Sequence, residues 1–520
     1  MLLRSLVFVV IGFLAVLPTC RAQENLSPLL DLVRRRIPDL SQDEASVVLR
    51  LEEEQTQDDS QPLEMRAHVV VMLCKAREAV NLLPSRGLSF ENVVISGNLD
   101  LSFANLTVPL TFSKCRFANQ TSPLALRQGQ FLSILMNDCT DLAGINARGI
   151  RINHSFIFER SQCRSEIDLK NADIGNDLDL EEATLTVKDD KTRGCLYARN
   201  ARIGGDVLLD GMSANGRIDF QGATISGVFS AQKATFDVAL TADQSAVPLA
   251  MDLSGATIGR DCDIEQTLIN GQLRLSDADV TKTVRIQALD AAGAFSLDLA
   301  GLDCNRFVID IGSRPKPGKL RLQGCTFDDI SITGCGDAEL ETYLEWVRLP
   351  GLGDFSEQPY EFLASVLKKQ GKDDISRALL IAKVEDQPAR TKVELIVRRL
   401  TWMVGYGYSP LRAVWLALAV ILMGFVVFKV AYHRRLLVVR STHAPAKLRT
   451  PNLTLLMYSV DVFVPLVDFG VGPSYMPGKV DIGMEAREAT LFRIYYWFHV
   501  AAGWLICTVA VAGLTGLVRV

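Results

Sequence analysis

IDLKNADIGNDLDLEEATL, residues 167–185, holds two successive copies of one 11-residue pattern, LxLxxAxIxxx. Ile167, Leu169, Ala172 and Ile174 fill the first copy, and Leu178, Leu180, Ala183 and Leu185 the second. Upstream the positions are taken by Leu99, Leu101, Ala104, Leu106 and by Leu110, Phe112, Cys115, Phe117. Downstream they recur at Leu196, Ile218, Met251, Cys262, Leu273 and Leu320, each opening a further copy. Every copy contains two short pieces in which apolar and polar residues alternate, the signature of a strand. Neither piece can bury its face alone, so the copies must stack on one another. Gly and Asn recur in the trailing positions (Gly175, Asn176, Gly204, Gly205, Gly227, Gly259, Asn270, Gly271), where the pattern predicts tight turns. The simplest closed object is a coil of four short faces built from two copies. The expected fold is mainly β, a right-handed quadrilateral β-solenoid over residues 91–335, with roughly ten or eleven coils.

The register makes a further prediction, because the middle residue of LxL points outward. Asp252, Arg274 and Asp298 then stack on one side, and Asp263 and Arg285 on another, as a surface charge ladder. Exposed pairs of this kind are worth about 0.2–1 kcal/mol each. Two stretches lengthen the turns, residues 186–194 and 241–249, and loops leaving a rigid scaffold are the usual carriers of binding specificity. Ahead of the repeat, residues 23–90 are charged and carry apolar positions such as Val69, Val70, Leu73 and Ala76 at helical spacing, which predicts a helical cap over the first coil.

The two ends of the chain place the body relative to a membrane. Residues 1–22 read as a signal peptide, with Arg4 ahead of a short apolar run and Ala22 ahead of the expected cleavage point. Near the other end, residues 406–435 and 493–520 contain apolar stretches long enough to span about 30 Å of hydrocarbon. Arg434, Arg435, Arg440, Lys447 and Arg449 follow the first stretch, and Arg487 and Arg493 precede the second. That bias puts the intervening loop, residues 436–492, in the cytoplasm. Export by the leader gives the same topology, with the solenoid in the periplasm and residues 336–405 as a helical hinge. Within the loop, residues 453–470 are apolar but too interrupted to span, which suggests a re-entrant or interfacial segment. Asp461 and Asp468 lie there, and acids at membrane depth are functional candidates. His499 falls near the end of the second span.

Eleven cysteines in an exported chain raise the question of disulfides. The register answers otherwise: Cys115, Cys139, Cys325 and Cys335 occupy the small-residue position that Ala fills elsewhere, and Cys262 and Cys304 occupy other inward positions. Buried free thiols are expected for most of them. No CxxC pair or close Cys/His set marks a zinc site. No glycine-rich phosphate loop follows a strand, so no cofactor is expected. Among five histidines only His68 and His154 lie in the exported body, which leaves little for nucleophilic catalysis. A formal net charge of -5 without a basic face argues against nucleic acid as a partner. No catalytic residue is nominated.

Several segments resemble a known group. RAHVVVMLCKAREAVNLLPSRGLSFENVVISGNLDLSFANLTVPLTFSKCRF (66–117), QPYEFLASVLKKQGKDDISRALLIAK (358–383), GYGYSPLRAVW (405–415), YSVDVFVPLVDFG (458–470) and GWLICTVAVAGLTGLVR (503–519) are similar to bacterial membrane proteins. Those proteins join a pentapeptide-like solenoid to a two-helix C-terminal membrane domain, and the group is sometimes labelled membrane-associated oxidoreductase. The resemblance implies a membrane protein and brings no catalytic residues with it; the leader and the two spans are what place it in the inner membrane. The expected function is a membrane-anchored scaffold or interaction protein whose partners are the lipid bilayer and either other envelope proteins or further copies of itself. A small oligomeric channel with a solenoid sensor is the alternative, and an envelope polysaccharide-binding or polysaccharide-cleaving protein the third.

Overall fold

A computed structural model describes residues 27–52, 61–187, 194–238, 247–289, 295–315, 319–349, 355–388, 391–402, 410–434, 436–439, 451–464, 475–477 and 486–515. The leader and most of both lengthened turns lie outside these residues. The chain divides into two units, residues 1–295 and 296–520. Parallel solenoid turns occur in both, about 10 in all, and helices lie at both ends of the chain.

In the first unit the chain visits four parallel ladders in a fixed order. Within one coil, Ile167–Asp168, Asp173–Ile174, Leu178–Asp179 and Thr184–Leu185 each join a different ladder. The next coil repeats the visit, pairing Ile167 with Leu196, Ile174 with Ile203, Leu178 with Val207 and Leu185 with Ala214. The LxL pieces fill two ladders and the AxI pieces the other two, so two copies make one coil. The inward residues at these positions are buried.

Two kinds of corner join the strands, and the sequence pattern identified only one. Inside each copy, the residue just before the Ala position takes a left-handed backbone: Phe103, Lys114, Asn171, Glu182 and Asn200 all have φ between 50° and 60°. Gly149, Gly222 and Gly255 serve the same corner, with φ of 65°, 65° and 63°. This conformation crowds the Cβ of an L-residue, at a cost of about 1–2 kcal/mol outside Gly and Asn. Phe103 bears that cost with its ring 70% exposed. Phe103→Asn is therefore expected to raise stability by about 0.5–1 kcal/mol, read from urea unfolding.

The trailing glycines lie at bends, as the pattern predicts, but their backbone differs from that of the first corner. Gly175, Gly204, Gly205, Gly227 and Gly259 are absent from the residues with positive φ. They are required instead because successive coils touch there. A Cβ on Gly175 would collide with the Asn153 carbonyl oxygen, one on Gly204 with the Gly175 carbonyl oxygen, and one on Gly259 with that of Ser226.

Near residue 280 this corner disappears. Asp279–Gln287 runs as one nine-residue strand that pairs with both Thr257–Ile258 and Cys262–Glu265. The sequence Thr281-Lys282-Thr283 replaces the Gly and Asn of earlier corners, and β-branched residues favour extended backbone. Four separate short faces therefore do not describe every coil.

The N-terminal end carries helices α1 (Pro28–Arg36), α2 (Gln42–Glu52), α3 (Ala67–Lys75) and α4 (Arg77–Val80). Between α2 and α3, strand Leu63–Arg66 pairs with Val93–Ser96. Packing of α2 on Leu88–Glu91 and of α3 on Asn105–Leu106 covers the first turns, where strand edges would otherwise be open. Ser41 and Glu44 start α2 with reciprocal side chain to backbone hydrogen bonds at 2.9 and 3.1 Å. Arg66 then closes on Glu44 through Nε at 2.7 Å and Nη2 at 2.8 Å. Burial alone would raise the Glu44 carboxyl, but the Arg66 side chain and the Ser41 and Arg66 amides hold it down at about 2. A carboxyl depressed in the folded state stabilises fully above its unfolded value near 4.5 and loses that contribution as pH falls through about 2. Acid melts between pH 5 and 2 are expected to reveal a loss on the order of 3 kcal/mol that Glu44→Gln removes from the profile.

In the second unit, Leu297 and Asp298 pair with Leu320 and Arg321, and the eight-residue strands Asp303–Asp310 and Thr326–Thr333 run in parallel register. Helices α5 (Glu339–Arg348), α6 (Gln358–Lys369), α7 (Asp373–Asp386) and α8 (Lys392–Trp402) follow. The expected hinge is, over α5 to α7, a cap on the last strand. Phe362 meets Phe327 edge-on at 4.8 Å, Trp346 packs against Phe307 at 6.2 Å, and Gln370 Nε2 donates to the Ile330 carbonyl at 3.1 Å. The rings cover the apolar side chains at the end of the sheet, and Gln370 satisfies one carbonyl of the open edge of Thr326–Thr333. Cys335 also departs from its expected inward position. It is only half-buried, because the chain has left the strand and entered the short 3-10 turn Gly336–Ala338.

Candidate functional site

Three helices complete the second unit: α9 (Pro410–His433), α10 (Pro451–Phe463) and α11 (Ala486–Thr515). Among the described residues α9 alone is long and apolar enough to cross a membrane, by length and composition. Phe428, Tyr458 and Phe492 form the aromatic centre where the three helices pack, with Phe428 edge-on to Tyr458 at 5.0 Å and to Phe492 at 6.1 Å. Small residues let the backbones approach: a Cβ on Gly424 would strike Ser459 Oγ, and one on Gly503 would strike the Phe463 carbonyl.

At this crossing the sequence missed a polar cluster. His499 is fully buried, as is Ser459. His499 Nε2 lies 3.2 Å from the Ser459 carbonyl, which can only accept, so this nitrogen carries the proton. Ser459 Oγ donates to the Ile421 carbonyl at 2.8 Å, and the Tyr495 hydroxyl faces His499 Nδ1 at 3.5 Å. The three helices are thus tied by one hydrogen-bonded chain running from α9 through α10 to α11. The expectation that His499 sits near a helix end is corrected: α11 begins at Ala486, which puts His499 near its middle.

The acids nominated from the sequence are placed less centrally. Asp461 is half-buried on α10, two residues beyond Ser459, and Asp468 lies outside the described residues. Residues 451–463 form a helix with Leu455, Tyr458, Ser459 and Phe463 buried, and the rest of the nominated segment, from Pro465 on, lies outside the described residues.

The charge ladder has a different character from the exposed one expected. Asp252 pairs in register with Arg274, their side chains 3.5 Å apart, and Asp298 accepts from Arg321 at 3.0 Å within the second unit. Asp263 and Arg285 face each other in a different ladder at 2.5 Å. The carboxylates are not on the surface: Asp252 and Asp298 are 3% and 2% exposed, and the equivalent Asp168 and Asp219 are 2% and 0%. Each caps the corner beside it, since the amide two residues on donates to Oδ1 in Lys170, Gln221, Ser254 and Ala300. Neighbouring basic side chains then cover the other oxygen. The four buried carboxylates share a recurrent Asp in IDLKNA (167–172), IDFQGA (218–223), MDLSGA (251–256) and LDLAGL (297–302), but the same pattern in LDLSFA (99–104) carries an exposed Asp100, so the motif marks the capped corner and not the burial.

No known protein family, characterised protein or solved structure matches the chain. What the site can do therefore rests on its own geometry. Among the described residues, no group of three or more His, Cys, Asp or Glu side chains is placed to hold a metal ion. Burial pushes the Cys74 and Cys163 thiols up to about 12 and Cys195 to about 11, so these sulfurs are protonated packing groups at neutral pH. In the second unit a cleft of about 480 Å³ is lined by Arg314, Arg348, Glu345 and the apolar Ile311, Pro315 and Leu349. Both guanidiniums are engaged, Arg314 with Glu345 at 2.8 Å and Arg348 with Asp386 at 2.7 Å.

Proposed function

We propose that the protein is a membrane-anchored scaffold or interaction protein of the bacterial envelope, a right-handed quadrilateral β-solenoid held in the periplasm by a helical inner-membrane domain. One observation carries the anchor: the outward surface of the three-helix unit is apolar. Trp415, Leu422 and Val426 on α9 are exposed by 57–71%, and Trp497, Phe498 and Leu505 on α11 by 58–67%. In water such a surface would be a liability, whereas in hydrocarbon it is the solvated state. On this reading α11 is the second span, residues 1–22 are the exported leader, and the resemblance to bacterial solenoid membrane proteins covers most of the mature chain.

The scaffold role follows from regularity. The repeated outward faces of the solenoid turns are the surface available to envelope partners or to further copies of the chain. The Ser459–His499 contacts favour an anchor over a conducting path, because these polar groups are spent on one another inside a single helix trio. Alkaline phosphatase fused after Gly336 is expected to be active in cells, and the chain to stay with membranes in alkaline carbonate. An inactive fusion overturns the exported placement. Ion flux through liposomes holding the full chain, lost on Asp461→Asn, would overturn the scaffold in favour of a channel.

A further inference from the structure

Cys115 and Cys139 occupy the same position in successive coils. The backbone holds them in register on both sides: Phe112 pairs with Met136 and Ser113 with Asn137 before them, and Arg116 with Thr140 after them. The Thr140 amide donates to the Cys115 carbonyl at 2.9 Å, which fixes the spacing of the two coils at the cysteines themselves. Adjacent in-register strands lie about 4.8 Å apart, inside the window of about 4.4–6.8 Å between the α-carbons of bridged cysteines. Both side chains point inward, at 1% and 0% exposure. Each sulfur also reaches a carbonyl of the preceding coil, Cys115 that of Phe90 at 3.3 Å and Cys139 that of Phe112 at 3.4 Å. Ser161 continues the column in the next coil, where its hydroxyl accepts from the Cys139 amide at 2.9 Å.

We infer that Cys115 and Cys139, free thiols in this structure, are an oxidation site that closes to an intercoil disulfide when the chain folds in an oxidising compartment. The in-cell part of this inference rests on the exported reading above. The step is an exchange with a small-molecule or protein disulfide. One cysteine thiolate attacks that disulfide to give a mixed disulfide, and the second displaces the carrier thiol. Two protein thiols are thereby oxidised to one S–S bond while the carrier disulfide is reduced to two thiols. Exchange takes place during folding, before burial removes both sulfurs from solvent. The product staples two coils near the N-terminal cap and closes a loop that the unfolded chain would otherwise leave open.

The test uses the full chain in detergent, reduced, unfolded, and refolded through a buffer of reduced and oxidised glutathione, then trapped by alkylation. Peptide mapping is expected to recover residues 115 and 139 cross-linked and Cys163 and Cys195 alkylated. The unfolding midpoint should rise by several degrees over the reduced protein. Cys139→Ser, which repeats the hydroxyl that Ser161 already supplies in the next coil, should fold with unchanged circular dichroism, lose the cross-linked peptide and lose the rise. Full alkylation of both cysteines, or a bridge to any other cysteine, overturns the site. The same mapping on protein trapped directly from cells, beside the phosphatase fusion, separates the two readings. Cross-linking in the refolding arm with reduced thiols in cells and an inactive fusion refutes export alone, whereas reduced thiols in cells with an active fusion refutes the in-cell disulfide.

Discussion

Gly204→Val is expected to destabilise the solenoid by about 3 kcal/mol or more, enough to expose the central coils to rapid hydrogen exchange. The reason is where a side chain would have to go. The Gly204 α-carbon lies over the Gly175 carbonyl, and an added Cβ would overlap that oxygen. Backbone cannot move aside as a side chain can, because the Gly204 and Gly175 amides are both tied down, to the Ile174 and Ile152 carbonyls, each at 2.8 Å. Relief requires the two coils to separate, and separation loosens the ladders on either side of the corner. Gly255 supplies the control. Its φ is +63° and nothing lies within 4 Å of an added Cβ, so its constraint is conformational alone. Gly255→Asn is expected to cost no more than about 0.5 kcal/mol, since Asn tolerates the left-handed region. Urea unfolding followed by β-sheet circular dichroism measures both, and equal costs at the two positions would refute the distinction between contact and conformation.

That distinction marks the limit of what was legible in the chain. The period of the repeat, the inward positions and the pairing of copies follow from alternation of apolar and polar residues, which needs no knowledge of neighbouring coils. The second kind of corner was obscured because its occupants are chemically mixed. Asn171, Asn200 and Gly222 signal a left-handed residue, but Phe103, Lys114 and Glu182 at the equivalent positions do not. Burial of the ladder carboxylates was hidden for a different reason. A binary pattern scores Asp as an outward polar residue, while the groups that bury it come from elsewhere in the chain: Arg148 covers Asp168 and Arg199 covers Asp219, each about one coil earlier. The candidate membrane site was misjudged through helix length. Glu488 and Arg493 make the start of α11 look like loop, so a hydropathy window opens too late and His499 is read as terminal.

Asp219→Ala is expected to cost about 3 kcal/mol, while Asp263→Ala, which also removes a carboxylate beside an arginine, should change stability by no more than about 0.5 kcal/mol. The two acids look alike in the sequence and differ in what surrounds them. Asp219 is 0% exposed. Its Oδ2 accepts from Arg199 Nε at 2.6 Å and Arg217 Nη2 at 2.9 Å, and its Oδ1 accepts from the Gln221 amide at 3.3 Å. Removal leaves two cations without their shared partner and opens the turn that leads into Gly222. Asp263 lies in a different ladder and makes one close pair, with Arg285. Burial raises its carboxyl above the usual range despite that arginine, with Glu265 and Asp261 adding to the effect. A carboxyl raised in the folded state opposes folding wherever it must be ionised, so its loss forfeits little once it is ionised. Asp219→Asn separates the two roles of the buried acid. It keeps an oxygen for the Gln221 amide and gives up the charge, and should recover about half of the loss caused by Ala. The remainder is the charged part, which 0.5 M salt should reduce only weakly, since a fully buried carboxylate is poorly screened.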